Sequence, residues 1–189
     1  MNGSIGDPNV PADPRVTALV ETRAEPDTGV PPVTFEDFFR AEYRSVARAL
    51  VIVAGDALGA EDLAQEAFVR AYERWDRVRV MGSPAGYVYR AALNLHRSRL
   101  RRAAVALRHR RGTGSPEAAA DIGPELQHEV REMLASLPRG QREALMLVEW
   151  LGYPAGEAAR ILGVRPASVR GRIHRARVSM RARFGGNGD

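Results

Sequence analysis

Residues 157–177 read EAARILGVRPASVRGRIHRAR. Ala158, Ala159, Ile161 and Leu162 make a short, largely apolar helix. Gly163 suits the left-handed position that ends such a helix, and Pro166 suits the first turn of the next. A helix, a short turn with glycine and a second helix is the helix-turn-helix pattern. In the second helix Val169, Ile173, Ala176 and Met180 recur at spacings of four, three and four. That stripe must face a core. Arg165, Ser168, Arg170, Arg172 and Arg175 are left to the outer surface. No Asp or Glu occurs between positions 158 and 188, so crowded arginines repel one another unless water or a polyanion compensates. Two readings stand at this point: a solvated basic helix, or one whose N-terminal end enters a DNA major groove. Arginine there can bind guanine bidentately or hold phosphate. The glycine turn and the preceding helix favour DNA. A calmodulin-type or membrane-surface helix would carry a bulky aromatic face, which is missing here.

Charge alternates along the rest of the 189 residues. Residues 1–34 carry −3, 35–111 carry +6, 112–137 carry −4 and 138–189 carry +6. Two basic blocks around an acidic spacer suit two surfaces for one extended polyanion. All 28 basic residues other than histidine are arginine, as a GC-rich genome would impose. There is no cysteine, which excludes disulfides and thiolate metal sites. No apolar run approaches the 18 residues or so that a membrane span needs, and the N-terminus lacks the order of a signal peptide.

Residues 1–33 are rich in Pro, Gly and Asp without a sustained period, and are expected to be a disordered tail. Thr34 resembles a helix N-cap with Asp37 three residues on. Helical periods are expected from Phe35 to Leu50, over 60–76 and from Pro84 to about Arg111. GTGSPEAAADIGP (112–124) reads as a linker. Periodicity returns from Glu125, over 141–150 and over 155–162. No strand-like alternation survives, so the fold class is all-α: two small helical domains, 34–111 and 125–185, joined by a flexible linker.

Two stretches of the first domain carry chemistry. In GAEDLAQEAFVRAYERW (59–75), Asp62, Gln65, Glu66 and Val69 share one broad acidic and amide-bearing face, opposite Leu63, Ala67, Phe68 and Tyr72. An ordinary surface with an ion pair from Glu66 to Arg70 would look the same. In SPAGYVYRAALNLHRSRLRR (83–102), Tyr87 and Tyr89 are interleaved with Arg90, Asn94, His96, Arg97, Arg99, Arg101 and Arg102. Aromatics beside arginines can stack on unpaired bases and track a phosphate backbone. A core tyrosine pair with a solvated basic end remains the alternative. His96 has no second His or carboxylate at helical ligand spacing, so neither a metal nor another cofactor is expected. No nucleophile–base–acid set or glycine-rich phosphate loop appears, which argues against an enzyme. A dimeric repressor or activator using only the helix-turn-helix would need symmetric half-sites, and no dimerisation helix is evident.

Together these residues resemble the sigma-70 family, specifically its small two-domain extracytoplasmic-function (ECF) sigma factors, over roughly 35–184. The closing VRGRIHRAR (169–177) is the most specific match. The resemblance implies a cytoplasmic bacterial protein that directs core RNA polymerase to promoters and initiates transcription. It implies that Asp62, Leu63, Gln65, Glu66, Phe68 and Val69 meet the clamp helices of the largest polymerase subunits. Tyr87, Tyr89, Arg90, Asn94, His96, Arg97 and Arg101 would open and hold the −10 element. Arg165, Pro166, Ser168, Val169, Arg170, Arg172 and Arg175 would bind the −35 element. It implies the polymerase flap region as a further contact, allows an anti-sigma factor as a partner, and involves no membrane insertion.

Overall fold

A computed structural model describes residues 34–109 and 128–184. The tail expected over 1–33 and the linker expected over 112–124 lie outside the described residues. Those that are described form helices and turns, with no strand among them.

Helix α1 spans Phe35–Ala54. The Thr34 hydroxyl oxygen accepts the Asp37 backbone N–H at 3.2 Å and donates to the Asp37 carboxylate at 2.7 Å. Glu36 and Asp37 place negative charge on the first turn, where the helix dipole favours it. Gly55, at φ 88°, ends α1, and Asp56 caps α2 (Ala57–Tyr72) by accepting from the Gly59 N–H. The tight turn makes α1 and α2 an antiparallel hairpin. Against it lie α3 (Trp75–Val78) and α4 (Pro84–His109). Ser83 caps α4 by accepting the Gly86 N–H at 3.1 Å, and Pro84 stands at its first helical position.

Val46, Leu50, Leu63, Val88 and Leu93 are sealed between these helices. Each such burial is worth about 1.5–3 kcal/mol. One end of the hairpin is an aromatic cluster: Phe38 stacks on Trp75 at 5.1 Å, and Phe68 meets Phe39 edge-on at 5.1 Å. The helical period predicted one helix over 60–76. Instead α2 starts three residues earlier, because Asp56 supplies its cap, and stops at Tyr72. The chain turns at 73–74, which brings Trp75 back over Phe35 and Phe38.

The second half contains α5 (His128–Ala135), α6 (Arg139–Leu145), α7 (Ala155–Leu162) and α8 (Pro166–Phe184). Residues 141–150, expected as one regular helix, continue α6 only to Leu145. Met146–Trp150 is then a π-helical turn, closed by the Leu151 N–H on the Met146 carbonyl at 3.0 Å. Gly152, at φ 72°, reverses the chain into α7. Gly163, at φ 68°, ends α7, and the Val164 N–H returns to the Ala159 carbonyl at 3.0 Å. The stripe of Val169, Ile173, Ala176 and Met180 is buried, holding α8 across α6 and α7.

The halves are not merely tethered. Helix α1 touches α6, and α4 touches α7. The buried apolar residues form one cluster from Phe38 to Met180.

Candidate nucleic-acid interface

The first surface is the outer side of α8. Arg165, Pro166, Ser168 and Arg170 are exposed at or near the start of that helix, and Arg175 is exposed midway along it. Val169 is fully buried, so it orients the helix rather than touching a ligand. Arg172 is half-buried. Its guanidinium lies over Gly140, 3.3 Å from where a Cβ would stand, so it packs on α6 as well as facing outward. Arg177 is occupied by Glu149 at 2.7 Å.

The second surface is α4. Arg90, Asn94 and Arg101 are exposed and Tyr87 is half-buried. Tyr87, Arg90 and Asn94 share an open cleft of about 620 Å³ with Glu66, Val69 and Arg70. The cleft thus joins the residues expected to meet DNA and those expected to meet polymerase. Three expected −10 residues lie elsewhere. Tyr89 is 2% exposed and its ring meets Tyr153 edge-on at 6.0 Å. Burial first, and Tyr153 second, push its phenol pKa up, against a hydrogen bond with Ser45. His96 is buried. Arg97 is bound to Glu143 of the second half at 2.7 Å. In this conformation the three form a contact between the halves.

His96 gives that contact a pH dependence. Burial holds its pKa below the ordinary 6.5; Glu143 pulls the other way, and Arg139, Arg142 and Arg99 reinforce the lowering. Near that pH the unfolded chain binds more protons than the folded one, so stability rises with pH. The contribution of neutral His96 is present above the unfolded value and lost as pH falls through the folded one. Calorimetric scans from about pH 7.5 to about pH 5.5 should show Tm falling, and His96→Gln should flatten that trend.

The third surface is α2. Asp62 and Gln65 are exposed and Glu66 is half-buried, whereas Leu63 and Phe68 are core residues at 1% and 2% exposure. Val69 is 55% exposed and Tyr72 62%. Tyr72, assigned by its spacing to the opposite side, therefore extends this surface. The signal was present: 62, 65, 69 and 72 follow one helical edge. Arg99 had drawn no specific role, yet it reaches from α4 to Glu66 at 3.1 Å and to Asp62 at 3.8 Å. Among the described residues no group of three His, Asp or Glu is placed to hold a metal ion, and no helix is long and apolar enough to cross a membrane.

Comparison with known proteins gives two family matches, Sigma-70 region 2 over residues 38–106 and Sigma-70 region 4 over 127–180. The ECF RNA polymerase sigma factor SigC of Mycobacterium tuberculosis is 31% identical over 175 residues, covering 90% of this chain and 91% of SigC. The probable RNA polymerase sigma factor RfaY of Xanthomonas campestris is 30% identical over 151 residues, but the chain spans only 37% of its length. Among solved structures, the sigma factor RpoE in complex with the anti-sigma factor NepR from Bartonella quintana superposes with a TM-score of 0.71 at 20% identity, over 82% of this chain and 98% of that one. CnrH, solved with the cytosolic domain of CnrY, gives 0.59 at 23% identity, over 90% and 97%. The fold, its basic outer surfaces and these relatives converge: the chain belongs to the sigma-70 family, as an extracytoplasmic-function RNA polymerase sigma factor.

Proposed function

We propose that this sigma factor works as a two-part grip, with residues 34–111 binding core polymerase and the −10 element and residues 125–185 binding the −35 element. The protein directs core RNA polymerase to promoters and initiates transcription there. The observation that carries the division of labour is the acid-free, exposed arginine surface at the start of α8, set by the Gly163 turn and the buried Val169. Arg165, Ser168, Arg170 and Arg175 supply phosphate and base contacts to the −35 duplex, phosphate giving affinity and bases selectivity. Opening the −10 duplex costs about 1.4 kcal/mol per stacked step. Stacking of unpaired bases on Tyr87 offsets about 1–3 kcal/mol of that, while Arg90, Asn94 and Arg101 follow the backbone.

The role is binding rather than catalysis, exercised in the cytoplasm with polymerase. Clamp helices of the largest polymerase subunit meet Asp62, Gln65, Glu66, Val69 and Tyr72, and the flap region meets the second domain. An anti-sigma factor is a further partner, as for RpoE, which was solved with the anti-sigma factor NepR. Run-off transcription with purified core polymerase and a promoter library tests the whole reading, and no specific transcript from any promoter would overturn it. The Gln65→Ala, Glu66→Ala double variant should bind core polymerase about tenfold more weakly or worse, a loss of about 1.4 kcal/mol. Its circular dichroism should stay unchanged, because both side chains lie outside the core. Normal core affinity in that variant would reject this surface.

A further inference from the structure

The contact between the halves is built on a buried charge. Glu143 of α6 has a side chain only 2% exposed. It receives two parallel N–H bonds from the Arg97 guanidinium of α4, Nη2 to Oε2 at 2.7 Å and Nε to Oε1 at 3.2 Å. A third donor of the same guanidinium, Nη1, reaches the Leu162 carbonyl at the end of α7 at 3.5 Å. Arg139 approaches Glu143 from its own helix at 3.5 Å. The surrounding contact is apolar and aromatic: Tyr89 against Tyr153, and Ile161 beside Gly86 at the start of α4.

A carboxylate accepting a guanidinium fork occupies the position that a phosphate would otherwise take, because both present two oxygens at matching separation. The link needs both partners, since removing either takes the two-bond fork from the other charge, and Arg139 at 3.5 Å makes only a longer contact with Glu143. We propose that Glu143 is an internal phosphate mimic that latches the second half over α4, so that free sigma factor hides Tyr89, His96 and Arg97 from single-stranded DNA. This rests on the assignment of α4 to the −10 strand. Phosphate must displace a tethered carboxylate present at high effective concentration. Apparent DNA affinity is then reduced by the fraction of molecules that are open. Docking on polymerase or on a promoter, by separating the halves, releases Arg97 to the backbone.

The chain has no cysteine, so Glu61→Cys and Arg160→Cys give one dye pair on exposed positions of α2 and α7. In the full-length protein without polymerase or DNA, Glu143→Gln should lower energy transfer across that pair. Arg97→Gln should lower it too and guards against a fault peculiar to one variant; circular dichroism checks that helicity is kept. Glu143→Gln, alone, should also bind a single-stranded −10-like oligonucleotide about tenfold more tightly, the gain expected when a state open in one molecule in ten becomes the main one. Arg97→Gln should show no such gain, having lost the contact itself. Unchanged energy transfer in both variants would overturn the latch. Lowered transfer with no gain in oligonucleotide affinity would instead overturn the assignment of α4 to DNA, and with it the competition.

Discussion

Replacing Phe68 with alanine should destabilise the protein by about 3–5 kcal/mol, the cost of emptying a large aromatic site that cannot fully collapse. Phe68 is 2% exposed, and its ring meets those of Phe35, Phe38, Phe39 and Tyr43. Against the total stability of about 5–15 kcal/mol usual for a domain, such a loss leaves a marginal fold. Urea titration followed by tryptophan fluorescence would measure it, since Trp75 stacks within the same cluster. The experiment also separates two roles. A residue that touched polymerase directly would lose core affinity when truncated while the fold survived. Phe68 acts by holding Val69 and Tyr72 outward, so Phe68→Leu should recover most of the stability and most of the core affinity together. A folded Phe68→Ala protein with abolished core binding would reject that account.

Loss of Arg165 and Arg170 together should nearly abolish transcription from promoters that depend on a −35 element. Both are exposed, one in the turn before α8 and one in its first turns, and fully buried Val169 holds the helix in register beside them. An arginine that binds a base bidentately contributes about 1–3 kcal/mol, roughly fivefold to 150-fold in affinity. Neighbouring sites need not add, so the double variant should lose at least the larger single effect. Binding of a −35 duplex by fluorescence anisotropy at several salt concentrations identifies each contact. A phosphate contact should reduce the salt slope by about one, whereas a base contact should change sequence preference. Arg172→Ala provides the contrast. Because its guanidinium lies over Gly140, it should lower thermal stability and affect DNA binding less than Arg165→Ala. Intact −35 binding in the double variant would remove α8 from the interface.

Most of the local structure was legible because its determinants are local. Thr34 caps α1, Gly163 ends α7, Pro166 starts α8, and the stripe from Val169 to Met180 is buried, all as spacing implied. The places where spacing misled share one cause. Periodicity reports which residues lie on one face, and not what covers that face. Tyr72 shares a side with apolar residues, yet the chain turns away at 73–74 and leaves it exposed beside Val69. The π-helical turn at Met146–Trp150 is likewise invisible to a regular period, since its backbone bonding reaches back five residues rather than four.

Tyr89, His96 and Arg97 illustrate the limit most sharply. An aromatic and basic helix face fits unpaired DNA, and it fits a second domain carrying a buried carboxylate and a tyrosine equally well. By itself the amino-acid order determined the all-helical class, the two basic blocks and the helix-turn-helix with its outward arginines, because caps, apolar stripes and charge blocks act over a few residues. Only the tertiary structure decided that Leu63 and Phe68 are core supports and that Arg99 ties α4 to Asp62 and Glu66. It alone decided that Arg97 is held by Glu143. The two arginine pairings span 33 to 46 positions of chain, where the geometry of packing, rather than any local preference, selects the partner.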